Sequence, residues 1–163
     1  MAEVPAPGAS LTGAPVTGAP VVRRIDELLE RYGESHRNAT NKAIHWICVP
    51  LITWSLVAAL WAWTPVAACA LIVAATAFYL ALSVTLAIGM LAVSAVMVFP
   101  LTQIPAQWLW VVAGAVFVAA WAGQFVGHLI EGRKPSFFED VKFLLVGPAW
   151  LLADVYRRAG IRY

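Results

Sequence analysis

The chain has 163 residues, 61% hydrophobic and only 12% charged, against about 25% charge in an ordinary soluble domain. Its mean hydropathy is +0.77, and from Ala43 through Ile130 it has no Asp, Glu, Lys or Arg. A water-soluble fold would have to expose a very large apolar patch to hold that stretch, and the scattered net charge of +2 excludes nucleic acid as a partner. The composition predicts an all-α integral membrane protein with the lipid bilayer as solvent.

Residues 1–20 combine Ala, Pro, Gly, Val, Ser and Thr with a single charge, Glu3. They lack the basic and continuous apolar regions of a secretory signal and read as a disordered tail, leaving 21–163 as one helical membrane domain. In residues 21–35, Ile25, Leu28, Leu29 and Tyr32 recur at helical spacing among charges. That pattern predicts an amphipathic helix stopping near Gly33, lying on the membrane or packed on a bundle.

A spanning helix needs about 20 residues, so the uncharged block holds about four transmembrane helices. Thr64-Pro65 marks one boundary, after Trp61 and Trp63, and Phe99-Pro100 through Pro105 marks another, before Trp108 and Trp110. The spans are then about 44–63, 66–82, 85–99 and 106–130, with a turn near Ser83–Gly89. Five basic residues precede the block and six follow it, which places both flanks in the cytosol and requires an even number of spans. The Ala- and Trp-rich composition reads as bacterial, hence an inner membrane; a eukaryotic chain would belong in the endoplasmic reticulum. Beyond the block, 137–158 is apolar but interrupted by Lys142 and Gly147-Pro148, predicting an interfacial or re-entrant helix pair. Cys48 and Cys69 read as small packing residues.

The three histidines of the chain are His36, His45 and His128. The predicted topology brings all three to the cytosolic membrane face, and imidazoles gathered at one depth make a candidate metal site. Asn41 precedes His45 by four residues and Gln124 precedes His128 by four, so each amide shares a face with its histidine and is a candidate to orient it. Glu131, three residues after His128, either adds a carboxylate ligand or pairs with Arg133 or Lys134. His36 and His45 are nine residues apart, on opposite faces of an unbroken helix. Convergence therefore demands a break in residues 37–41, with Asn38 or Thr40 capping the new helix.

Two segments carry a resemblance. Tyr32-Gly-Glu-Ser-His36-Arg-Asn-Ala-Thr-Asn41-Lys-Ala-Ile-His45-Trp-Ile-Cys-Val-Pro50 and Trp121-Ala-Gly-Gln124-Phe-Val-Gly-His128-Leu-Ile-Glu131-Gly-Arg-Lys-Pro135 resemble the two signatures of one family. It comprises small membrane proteins related to the fungal 2-hydroxy fatty acid dioxygenase of phytosphingosine degradation. The likeness covers about 24–157, although Lys134-Pro135-Ser136-Phe137 only loosely matches the family's small-residue continuation. The resemblance implies an Fe(II)-dependent enzyme that uses O2 to shorten a 2-hydroxy fatty acid by one carbon, with His36, His45 and His128 required. In that reading Arg37, Lys42 and Arg133 are candidates to meet the substrate carboxylate. The competing class is a non-catalytic lipid-binding or scaffold protein with a structural metal or none. A di-iron desaturase would need more histidines, and a transporter would need ionisable groups near mid-membrane. Substrate chain length and oligomeric state stay open.

Overall fold

The computed structural model describes residues 23–135 and 142–163; the tail read over 1–20 and the start of the C-terminal segment at 137–141 lie outside them. Among the described residues the protein is all helical. The helices are α1 (Arg24–Gly33), α2 (Ala39–Trp63), α3 (Pro65–Leu80), α4 (Val84–Val98), α5 (Ala106–Glu131) and α6 (Phe143–Arg158), with a 3-10 turn at Phe99–Thr102.

Local chemistry sets each boundary. The Asn38 side chain accepts from the backbone N–H groups of Thr40 at 2.8 Å and Asn41 at 3.3 Å, satisfying donors that the first turn of α2 leaves unpaired. Thr64 caps α3 through Val66 N–H, and Pro65 occupies the first helical position, where its missing N–H costs nothing. Ser83 caps α4 through Leu86 N–H. The turn between α3 and α4 therefore falls at residues 81–83, whereas Gly89 lies inside α4 against Tyr156. Gly132, with φ 72°, ends α5 in a left-handed conformation that a Cβ would oppose. Its N–H reaches the Leu129 carbonyl, and Arg133 N–H reaches that of His128, a pairing that satisfies the last turn's orphan acceptors.

Helices α2 to α5 run alternately up and down. Glu131 at the end of α5 bonds to residues at the start of α2, so those two ends coincide. The α3–α4 turn lies at the same end, where α6 holds it: Tyr79 Oη donates to the Leu145 carbonyl at 2.8 Å and Tyr156 Oη to that of Thr85 at 3.2 Å. Three helical segments are long and apolar enough to cross a membrane: Ala39–Trp63, Val84–Thr102 and Ala106–Glu131. Pro65–Leu80 is a shorter apolar helix of 16 residues, about 24 Å at 1.5 Å per residue, against a hydrocarbon core of about 30 Å. Of the four expected spans, three are thus helices of spanning length, and the one at Pro65–Leu80 falls short.

The outward surfaces are apolar, with Ile47, Val66, Val73, Val96, Val118 and Leu129 all exposed. The most extensive helix contact is between α2 and α5, and small residues permit it. A Cβ at Gly123 would lie 2.6 Å from Cys48 Sγ, and one at Gly127 would run into Asn41 Oδ1. Gly123 and Gly127 thus form a small-xxx-small stripe that lets the two backbones approach, and buried Cys48 is the packing residue it was read as.

At the site end, α1 packs on α6 through Ile25, Leu29 and Tyr32 against Phe143, Val146 and Trp150. The amphipathic face of α1 is covered by protein. The expected C-terminal helix pair is, over Phe143–Arg158, one helix that continues through Pro148. Gly147 does not break it: a Cβ there would lie 2.9 Å from Tyr32 Oη, so this glycine admits α1 to close packing. Pro148, the sixth residue of the helix, removes the N–H that would reach the Leu144 carbonyl.

Candidate metal centre

The chain enters the site after Gly33, where α1 stops and residues 34–38 turn back toward the bundle. That break lets His36 and His45 converge despite their spacing. The break and its Asn38 cap match the sequence expectation, but the break lies at residues 34–38 rather than 37–41, because Asn38 caps α2 from Ala39 onward.

All three histidines are buried, with exposures of 1% for His36, 1% for His45 and 4% for His128. Their ring centroids lie 4.1 Å apart for His36 and His45, 5.1 Å for His36 and His128, and 5.0 Å for His45 and His128. One potential ligand atom from each ring falls within 4.8 Å of the other two. Among the described residues this is the group of His, Cys, Asp and Glu side chains placed to share a metal ion.

The hydrogen bonds define which nitrogens face inward. His36 Nδ1 lies 2.6 Å from the Tyr32 carbonyl, and His45 Nδ1 lies 2.9 Å from the Asn41 carbonyl. A carbonyl only accepts, so both Nδ1 atoms carry hydrogen and donate, which leaves the lone pairs of neutral rings on Nε2. These two Nε2 atoms are 2.8 Å apart. Burial lowers the pKa of His36 to about 4, so at neutral pH its ring supplies no proton to bridge them. Two facing lone pairs at that separation repel unless a cation lies between them. His128 Nδ1 is also buried and has no hydrogen-bond partner among the described residues. The donor set therefore fits a metal ion bound by three neutral imidazoles, with backbone carbonyls holding two of the rings in the ligating tautomer.

The neighbours play distinct parts. Tyr32 stacks on His36 at 4.2 Å with the planes 17° apart, and Trp150 lies 5.6 Å from the same ring. Glu131 accepts from Arg37 N–H and Asn38 N–H at 2.9 Å each and from Asn41 Nδ2 at 3.0 Å. Both carboxylate oxygens are engaged in tying the His36 loop and the start of α2 to the end of α5. Asn41 Nδ2 also donates to the Ser35 carbonyl at 3.3 Å, so Asn41 joins both histidine segments through its side chain and holds His45 through its own carbonyl. Gln124 is buried beside His45 and His128, its Oε1 without a partner among the described residues.

A cavity of about 40 Å³ touches His45 and His128 and is closed by Trp121 of α5 and by Phe143, Gly147 and Pro148 of α6. A second groove, about 670 Å³, also touches His128 and is lined by Arg133 and Lys134. Of the three residues expected to meet a carboxylate, Arg133 shares this groove with a histidine. The side chains of Arg37 and Lys42 are on exposed residues and line neither space. The contribution of α6 escapes sequence reasoning because Gly147-Pro148 reads as a break; the clue was that a glycine inside an apolar helix permits close approach.

A protein-family model described as 2-hydroxy-palmitic acid dioxygenase Mpo1-like matches residues 22–159. The chain belongs to this family. The match takes in every helix among the described residues and all three histidines, and so agrees with the resemblance carried by the two signature segments. No curated protein and no solved structure matches the chain.

Proposed function

We propose that the protein is an Fe(II)-dependent dioxygenase that uses O2 to shorten 2-hydroxy fatty acids by one carbon. The observation that carries the reading is the convergence of three buried imidazoles, two of them held by hydrogen bonds with unprotonated nitrogens facing each other, in a chain of this dioxygenase family. Three neutral imidazoles suit iron and leave coordination positions for a substrate. The overall conversion balances without an external reductant: one 2-hydroxy acid and one O2 give the acid one carbon shorter, CO2 and water.

His36, His45 and His128 would hold the metal, which when bound supplies the redox chemistry and a template for a chelating head group. The protein supplies the rest. The Tyr32 and Asn41 carbonyls keep the rings of His36 and His45 in one tautomer. Glu131 and Asn41 keep the ligand-bearing segments together. Phe143, Trp121 and Pro148 exclude bulk water, and Arg133 offers a cation to the carboxylate on approach. In the bilayer we place the histidine end at the cytosolic face, where the basic residues of both flanks lie. In that placement α3 is a fourth, short crossing whose turn into α4 is covered by α6.

The test is metal analysis of protein purified in detergent without oxygen, followed by O2-dependent conversion of 2-hydroxy palmitate. About one iron per chain, lost on His36→Ala, His45→Ala or His128→Ala, with CO2 released by the wild type alone, is the expected result. Equal metal in all four proteins and no CO2 would replace the reading with that of a lipid-binding or scaffold protein.

A further inference from the structure

An apolar chamber of about 340 Å³ lies between α2, α3, α4 and α6, within the size range of small-molecule sites. It adjoins the histidine cavity: Ile52, Thr53, Leu144 and Pro148 line both. Along α2 the lining runs from His45 and Val49 in the histidine cavity through Thr53, common to both, to Val57 in the chamber, one turn at a time on one face. That path covers twelve residue steps, about 18 Å at 1.5 Å per residue. One leaflet of hydrocarbon is about 15 Å deep, half of the core thickness, so the path has the length of one acyl chain.

The chamber wall is chemically suited to methylene groups. The hydroxyls that reach it are already spent on backbone carbonyls: Thr53 donates to Val49 at 2.9 Å, Tyr79 to Leu145 at 2.8 Å and Ser94 to Met90 at 2.9 Å. A hydrocarbon entering it leaves none of these donors unpaired. The one ionic side chain of the wall, Lys142, belongs to the α6 end of the molecule, while the part farther along α2 is lined by Leu56, Val57, Leu71, Ile72, Met90 and Ser94. Leu56 and Leu71 are also exposed on the outer surface, so a chain can enter sideways between α2 and α3. The groove with Arg133 and Lys134 touches His128 as well, and shares His128 and Pro135 with the histidine cavity. A cationic groove and an apolar chamber thus both adjoin the cavity beside His45 and His128, a combination that suits an amphiphile with an anionic head.

We propose that this chamber receives the alkyl chain of the fatty-acid substrate, and that Ser94 and Met90 of α4 with Leu71 and Ile72 of α3 limit its length. The proposal rests on the dioxygenase reading for the identity of the head group, and on the chamber itself for the place of the tail.

The test uses the full chain in lipid nanodiscs with 2-hydroxy palmitate carrying a diazirine at its terminal carbon. Photolysis and peptide mapping are expected to find the label on residues 71–75 and 90–94, displaced by unmodified 2-hydroxy palmitate. Ser94→Phe is expected to lower kcat/KM for 2-hydroxy palmitate relative to 2-hydroxy octanoate by about ten-fold or more. Val73→Phe, on the exposed side of α3, leaves that ratio alone. Label spread over the exposed faces of α4 and α5, or held in the chamber but not displaced, overturns the proposal even if Ser94→Phe fails to fold. Conversion of 2-hydroxy palmitate with the label elsewhere sinks the chamber and spares the dioxygenase. Displaceable label in the chamber without conversion upholds the tail site and sinks the dioxygenase.

Discussion

Asn41 and Glu131 carry more of the site than their distance from the reacting atoms implies. The Glu131 carboxylate gathers three N–H donors from the His36 loop and from α2, and charge-assisted bonds of this kind are about twice as strong as neutral ones. Removing it by Glu131→Ala leaves those donors to water and loosens His36 relative to His128. We expect iron affinity to fall by about 10- to 100-fold, the usual effect of losing a group that orients metal ligands, while the iron's ligand-field spectrum at saturation stays that of wild type. Competitive chelator titration measures the first quantity, and an altered saturated spectrum would mark Glu131 as a ligand instead. Asn38→Ala removes a helix cap and is expected to cost about 1 kcal/mol, read as the stability difference in reversible unfolding; Asn38→Asp keeps the cap and most of the stability.

Helix pairs are the next level of control. The imidazoles meet because α2 and α5 approach closely, and they approach closely because Gly123 and Gly127 have no Cβ to strike Cys48 and Asn41. Gly127→Ala pushes a methyl group into the Asn41 side chain, an overpacking expected to cost about 1–3 kcal/mol and to weaken iron binding together with stability. Gly114, on the same helix, has open space where a Cβ would lie, so Gly114→Ala serves as the control and is expected to bind metal as the wild type does. Unfolding midpoints and iron stoichiometry of the two variants decide the matter; equal behaviour would remove the stripe from the account. The helix α6 also acts as an element, packing Phe143 and Trp150 around Tyr32 and covering the cavity with Gly147 and Pro148.

For the whole molecule, the alternating course of α2 to α5 predicts sidedness. Ala81 lies in the α3–α4 turn and Gln103 in the turn before α5, both exposed. In a Cys69→Ser background, an impermeant maleimide is expected to modify Ala81→Cys from the side where the flanks lie and Gln103→Cys from the other. Labelling of both from one side would reduce α3 and α4 to a re-entrant pair and leave α2 and α5 as the crossings.

Much of this was legible in the residues, for physical reasons that differ from case to case. Burial in hydrocarbon forbids unpaired charge and unpaired backbone, so the uncharged block, its prolines and its capping residues set the helices to within a few residues. The break before α2 was legible because two imidazoles nine residues apart cannot share a helical face, and Asn38 supplied the cap. The course of α6 was not, because glycine and proline mark both breaks and close contacts, and only the presence of Tyr32 across from Gly147 decides between them. Glu131 shows the same limit: its spacing from His128 fits a ligand or a clasp, and the neighbours that engage its oxygens come from residues 93 and 94 positions away. The sequence by itself determined an all-helical membrane chain and the three residues able to bind a metal, because helical period, charge exclusion and imidazole chemistry are local properties. Only the tertiary structure decided which nitrogens face one another, what Glu131 holds and where an alkyl chain has room, because each depends on side chains brought together by packing between helices.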